Sequence, residues 1–367
     1  MSRFLFLLAI LLAPSLRGQN ANLEELKKKA AAGDRASQYS LGEDFRLGLA
    51  GAMPDGKEAE RYYKMAAAQG MPEAQQALAV LYFEGDMIAQ NYPEALRWFR
   101  AGADNGLPES KFYIGVIYDE GLGVPQDYKE AVKWYKITAD LQMADAQFNL
   151  GVMYANGFGV EKNYAEAARL YRLAAEQRGL PQAEFNLAVL YDAGLGVPQD
   201  HKAAARWYRE AADQGHADAQ FNVGVMYASG QGVPQNLDEA AKWYRKAADQ
   251  NQLEAAYNLA VMYAEGQGVA QDFKEAVRLY RLAAEQGHAD AQFNLGGMYA
   301  TGRGTLRDDV AAYQWVAMAA AKGDQDAARA LDRLSGRMTA SQVETAKQRM
   351  ATWKPCKSKI ECDVRAK

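Results

Sequence analysis

AQFNLGVMYANGFGVEKNYAEAARLYRLAAEQ, residues 146–177, returns with small changes as AQFNVGVMYASGQGVPQNLDEAAKWYRKAADQ at 219–250 and as AQFNLGGMYATGRG at 291–304. Equivalent stretches begin at Ser37, Ala74, Ser110, Ala146, Ala183, Ala219, Ala255 and Ala291. The starts lie 36 residues apart, apart from single-residue insertions around Pro54 and Arg178. Self-similarity at a fixed period of this length marks a repeat array, in which each copy buries its apolar side only against its neighbours.

Each copy reads as a pair of helices. Ala146, Leu150, Met153 and Tyr154 recur at helical spacing and form the apolar face of a first helix. Gly157 and Gly159 stop it, because glycine accepts the left-handed conformation that closes a helix, and Pro125 in the Gly121 to Pro125 version cannot continue one. The second helix opens on Asn or Asp with Glu three residues on: Asp127 with Glu130, Asn163 with Glu166, Asn236 with Glu239, Asp272 with Glu275. That spacing predicts a reciprocal capping box worth about 1 kcal/mol per cap. Ala131, Trp134 and Tyr135, repeated as Ala240, Trp243 and Tyr244, supply the inward stripe.

The pattern A-x-x-x-L-G-x-x-Y, G-x-G-V, D-x-x-x-A, W-Y-x-x-A-A-x-Q-G resembles the Sel1-like repeat, a relative of the tetratricopeptide repeat. The resemblance implies an all-α fold, a right-handed α-solenoid superhelix of antiparallel helix pairs with a concave groove. Eight repeats are expected over 37–326, a capping helix over 22–36, capping helices over 327–353, and a tail over 354–367.

Composition fits this class. Hydrophobic residues make up 49% of the 367, yet the mean hydropathy is −0.39, because much of that fraction is alanine and tyrosine. A formal charge of −4 removes the usual drive toward nucleic acid and suits a neutral or basic partner better than an acidic one. Met1-Ser2-Arg3 followed by apolar Phe4 to Ala13 is too short to span a bilayer and has the form of a secretory signal over 1–18, with cleavage near Gly18 or Ala21. The expectation is a secreted or periplasmic protein with no membrane insertion after cleavage. Outside the cytoplasm, Cys356 and Cys362 are close enough in sequence to close a small disulfide loop. No metal or cofactor is expected, since two cysteines need further ligands and the three histidines lie far away in sequence.

In this repeat class the first helix lines the groove, and its outward positions hold the candidate binding residues. One asparagine column runs Asn149, Asn186, Asn222, Asn258, Asn294, and one turn further a valine column runs Val152, Val189, Val225, Val261. An amide offers donor and acceptor together, which is what an extended peptide backbone requires. Two readings stand: the amides grip a peptide, or each bonds a neighbouring repeat's backbone. The aromatics Phe112, Phe148, Phe185, Phe221, Tyr257 and Phe293 read as core between repeats. Glu73, Glu109, Asp145, Asp218, Glu254 and Asp290 precede most first helices, where they favour the helix N-terminus. Tetratricopeptide proteins that clamp a terminal carboxylate place lysine or arginine on this face, so that mode is not expected here.

An enzyme reading finds little. There is no Ser-x-x-Lys, no Gly-x-Ser-x-Gly and no histidine clustered with carboxylates. His216 and His288 occupy the same Gly-His-Ala-Asp turn, and His201 stands near the start of a second helix, as solvated turn or cap residues. Some secreted relatives are described as β-lactamase-like or penicillin-binding, but they carry a cysteine pair in most repeats and this array has none. The leading expectation is a monomeric, non-enzymatic scaffold for a protein or extended peptide. A cell-envelope or peptidoglycan-associated element is the alternative, and it requires exposed tryptophan.

Overall fold

Alanine-rich repeats punctuated by glycine build helices and nothing else. The computed structural model describes residues 23–49 and 52–356, and among these residues there are nineteen α-helices and no strand. The signal segment expected over 1–18, Cys362, and with it the Cys356–Cys362 pairing, lie outside the described residues. No described helix is long and apolar enough to cross a membrane.

The helices fall into two compact units, residues 1–162 and 163–367. The first holds α1 (Leu23–Ala31), α2 (Arg35–Leu47), α3 (Gly56–Ala68), α4 (Pro72–Glu84), α5 (Tyr92–Asp104), α6 (Pro108–Glu120), α7 (Tyr128–Asp140) and α8 (Ala144–Asn156). The second opens with α9 (Tyr164–Arg178), α10 (Pro181–Ala193), α11 (His201–Asp213), α12 (Ala217–Ser229) and α13 (Leu237–Asp249). It continues with α14 (Leu253–Glu265), α15 (Phe273–Glu285), α16 (Ala289–Thr301), α17 (Asp309–Ala320), α18 (Gln325–Ser335) and α19 (Ala340–Thr352). Within each unit, consecutive helices pack as antiparallel pairs stacked one after another. Alanines such as Ala131, Ala204, Ala240 and Ala276 have no exposed surface and let the helices approach.

The two glycines of each turn do different work. Gly157 closes α8 in the left-handed conformation, its N–H bonding the Met153 carbonyl at 2.8 Å. Gly159 does not stop a helix. A Cβ there would fall 2.4 Å from the Tyr128 carbonyl, so the turn lies directly against the start of the preceding second helix. In the second unit a Cβ on Gly232 would fall 2.1 Å from the His201 carbonyl in the same way.

The second helices are capped, but by half of the expected box. Asp127 accepts from the amides of Lys129 and Glu130, and Asn236 accepts from Glu239. The glutamates do not reach back. Glu130 pairs with Lys133 at 2.6 Å, Glu166 with Arg169 at 2.6 Å, and Glu275 with Arg278 at 2.8 Å. A cation one turn further on competes for the carboxylate that would otherwise bond the cap amide. A full capping box forms at Thr339 and Gln342, where no such cation follows.

The insertion at Arg178 is absorbed as two extra residues of helix, so α9 has 15 residues where its counterparts have 13, and Gly179 closes it. Beyond the last regular pair, α18 and α19 both pack on α17, burying Ala327, Leu334 and Ala346 with Tyr313 and Val316. Cys356 is buried, and its backbone N–H donates to the Glu285 carbonyl at 2.9 Å.

Candidate partner-binding face

The asparagines stand on first helices, half-buried: Asn149 on α8 in the first unit, and Asn186, Asn222, Asn258 and Asn294 on α10, α12, α14 and α16 in the second. Each side chain meets a tyrosine hydroxyl of the preceding second helix. Asn149 bonds Tyr135, Asn186 bonds Tyr171, Asn222 bonds Tyr208, Asn258 bonds Tyr244 and Asn294 bonds Tyr280. The amide thus engages a neighbouring repeat through a phenol and not through its backbone. Burial pushes the Tyr171 hydroxyl up to about 12, while the bond from Asn186 acts in the opposite sense. One phenol uses one of the four bonding sites of an amide.

Val152 in the first unit and Val189, Val225 and Val261 in the second are half-buried one turn on. Beside them, the aromatic column sits between the two helices of its own repeat, a change from the expected core between repeats. Phe185 lies 5.7 Å from the Tyr208 ring, Phe221 lies 5.9 Å from Tyr244, and Tyr257 lies 6.0 Å from Tyr280. Phe112 is buried, whereas Phe185, Phe221, Tyr257 and Phe293 keep part of a face exposed.

The histidines serve as caps, and one is far from solvated. His216 accepts from the Ala219 amide at 3.2 Å and stacks on Phe185 at 4.6 Å. His288 caps Ala291 in the same way, stacks on Tyr257 at 4.8 Å and bonds Glu254 at 3.0 Å, with a side chain only 8% exposed. His201 bonds Asp192 at 2.8 Å.

Charge separates between the two kinds of helix. Helices α10, α12, α14 and α16 contain no lysine or arginine and carry Glu184, Asp192, Asp218, Glu254, Glu265 and Asp290. In the first unit, α4, α6 and α8 carry Glu73, Glu84, Glu109, Asp119, Glu120 and Asp145 against Lys111 alone. The field reaches the aromatics. Burial, then Glu84, Asp145 and Glu109, push the Tyr113 hydroxyl up to about 12, and burial with Asp290, Glu254 and Glu265 raises Tyr257.

A model of the Sel1 repeat matches residues 35–71, 72–107, 108–143, 144–178, 181–216, 217–252, 253–288 and 289–324. The chain belongs to the Sel1 repeat family. Among solved structures it is similar to a Sel1 repeat protein from Oxalobacter formigenes, at 32% identity over 85% of this chain and 90% of that one, with a TM-score of 0.67. It is also similar to c5321, a protective antigen present in uropathogenic Escherichia coli strains, at 26% identity over 90% of this chain and 94% of that one, with a TM-score of 0.58. Among curated proteins none matches.

The Sel1 repeats also hold a buried column that the sequence reading passed over. Gln38, Gln75, Gln147, Gln220 and Gln292 are all buried, and each donates to a carbonyl at the end of the preceding second helix, as Gln220 does to Ala212 at 3.1 Å. In the second unit Gln250 donates to Gln220 at 2.8 Å, tying one repeat to the next. Glu184 stands in this column, 4% exposed, with the Gln214 amide at 2.7 Å. Burial holds its carboxyl above the usual range.

None of the six tryptophans is exposed. Trp207 and Trp243 are buried beneath Arg206, Arg209 and Lys246, and Trp98 and Trp134 are half-buried. The surface that a glycan-binding element requires is therefore not supplied by tryptophan. Among the described residues no cluster of three or more His, Cys, Asp or Glu has the geometry to hold a metal ion.

Proposed function

We propose that this Sel1 repeat protein is a non-enzymatic protein–protein interaction scaffold that works outside the cytoplasm. Its first-helix face takes a neutral or basic protein or extended peptide. The observation that carries this reading is the separation of charge: first helices without lysine or arginine in the second unit, with acids on both sides of half-exposed aromatics. Such a face attracts cations by its field and offers Phe185, Phe221 and Tyr257 as surfaces for cation–π contact. It repels a free terminal carboxylate. Spare capacity on Asn186, Asn222 and Asn258 is available to a peptide backbone.

Titration with a set of extended peptides of equal length and graded charge tests this. Basic peptides bind most tightly, acidic ones least, and the affinity falls with added salt. Reversing two exposed charges, Glu254→Lys with Asp290→Lys, weakens a basic peptide about tenfold at roughly 0.5 kcal/mol per exposed charge contact. Equal affinity for acidic and basic peptides, or no response to salt, refutes the reading. Location is tested by mass spectrometry of the protein recovered from its host, where the mature N-terminus is expected near Gly18 or Ala21.

A further inference from the structure

Two contacts recur along the second helices, and α11 departs from both. The first joins the glutamate at the third helical position to the cation three residues on: Glu58 to Arg61, Glu94 to Arg97, Glu130 to Lys133, Glu239 to Lys242. In α11 that position is Ala203, and among the described residues no carboxylate pairs with Arg206. The second joins the cation after the inward tyrosine or phenylalanine to a tyrosine hydroxyl of the next repeat, as in Arg100 to Tyr118 and Arg281 to Tyr299, both at 2.5 Å. The counterpart in α11, Arg209, turns instead to Asp213 at 2.8 Å and lies over the Trp243 ring at 4.7 Å. Tyr227, the counterpart of Tyr118, is left without it.

These departures meet at one cleft of about 290 Å³ between α11 and α12. Lys202, Arg206 and Arg209 line one side, and Val223, Met226 and Tyr227 line the other. The nearby carboxylates are already engaged. Asp200 is held by the amides of Lys202 and Ala203, Asp213 by Arg209, and Glu239 by Lys242 at 2.6 Å. Positive charge therefore stands uncompensated over an apolar wall, in a chain whose net charge is −4.

We propose that this cleft binds a small organic carboxylate. Arg206 presents a planar fork suited to two parallel bonds to a carboxylate, and Lys202 adds a point charge beside it. The apolar body of the ligand rests on Val223, Met226 and the Tyr227 ring. The volume is that of roughly ten water molecules, enough for a short aliphatic or aromatic acid and too little for a folded partner. A bare phosphate leaves the apolar wall wet and carries more charge than the two free cations match, so the acid is favoured over it. This site lies on the basic second-helix side and does not depend on the partner reading above.

The test titrates 3-phenylpropanoate, 3-phenylpropanamide and inorganic phosphate into the full chain, followed by the methyl resonances of Val223 and Met226. The acid shifts both resonances, and the amide and phosphate bind at least tenfold more weakly. Ala203→Glu restores the glutamate found in the other second helices and occupies Arg206. It weakens the acid at least tenfold while the thermal midpoint holds or rises, which separates loss of the site from loss of the fold. Arg206→Ala weakens it likewise. No shift from the acid, equal binding of acid and amide, or unchanged binding by Ala203→Glu overturns the proposal.

Discussion

Adjacent glycines in α16, Gly296 and Gly297, are expected to respond to alanine with opposite sign. Both sit inside a helix, where alanine is favoured over glycine by about 0.8–1 kcal/mol. At Gly297 a Cβ meets nothing within 4 Å, so the full gain is realised and Gly297→Ala stabilises by about that amount. At Gly296 the new atom falls 2.5 Å from Cγ2 of Val316 and 3.1 Å from the Ala312 carbonyl. Neither neighbour yields readily: one is backbone, and a β-branched side chain in a helix has essentially one rotamer. Overpacking of this kind costs about 1–3 kcal/mol, which outweighs the propensity gain and leaves Gly296→Ala destabilised by about 1 kcal/mol. The propensity cancels in the difference between the two variants, which isolates the packing cost. Column neighbours sharpen the point, since Ala188 and Ala260 are accommodated opposite the flat rings of Tyr208 and Tyr280. Urea unfolding followed by far-ultraviolet circular dichroism gives both values under one denatured state. A shared sign for the two substitutions refutes the reasoning.

Glu184→Gln places the amide of the other repeats in the buried column, and it is expected to raise stability at pH 7 by about 1 kcal/mol, the scale of one satisfied hydrogen bond. Because burial raises the folded-state pKa of Glu184, its penalty is full above that pKa and disappears as pH falls below the ordinary glutamate range. The gap between variant and wild type should therefore close in thermal melts near pH 4, and a gap independent of pH contradicts the assignment. His216 caps α12 through an unprotonated Nδ1, and burial lowers its pKa, so the stability it supplies is whole above about pH 6.5 and is lost as pH falls through the lowered value. His216→Asn keeps a cap and should flatten that part of the profile. Asn222→Ala should cost about 1 kcal/mol by leaving the Tyr208 hydroxyl buried without its amide, and Tyr208→Phe should recover most of the loss in a double-mutant cycle. Additive costs in that cycle rule out the bond.

Local features of the fold were legible because each is written within a dozen residues: the apolar spacing of Ala146, Leu150 and Met153, the closing Gly157, the capping Asn163. What escaped the sequence lies between repeats. Gln220 looks like a surface residue until its amide is seen bonding Ala212 and receiving Gln250, thirty residues on. Gly159 carries the same letter as Gly157, yet one ends a helix and the other clears the approach of a neighbouring backbone. The half-formed capping boxes show competition of the same kind, because the sequence displays the glutamate without showing that Arg169 or Lys133 holds it. For the candidate face, the asparagine column and the acids beside it were readable as positions. The tyrosine hydroxyl beneath each asparagine was not, since Tyr208 and Asn222 belong to different helix pairs.

A stack of equal layers has no length of its own: whatever closes one layer onto the next will also close the last onto a second molecule. The segment from Gln325 to Cys356 acts here as a chain terminator does in polymer growth. With α18 and α19 laid on α17, Trp353 set edge-on to Trp315 at 6.1 Å, and the Cys356 amide taking the Glu285 carbonyl at the end of α15, the eighth layer presents no template to copy. The number of repeats is thus fixed by a seal at this end rather than by any difference among the repeats themselves.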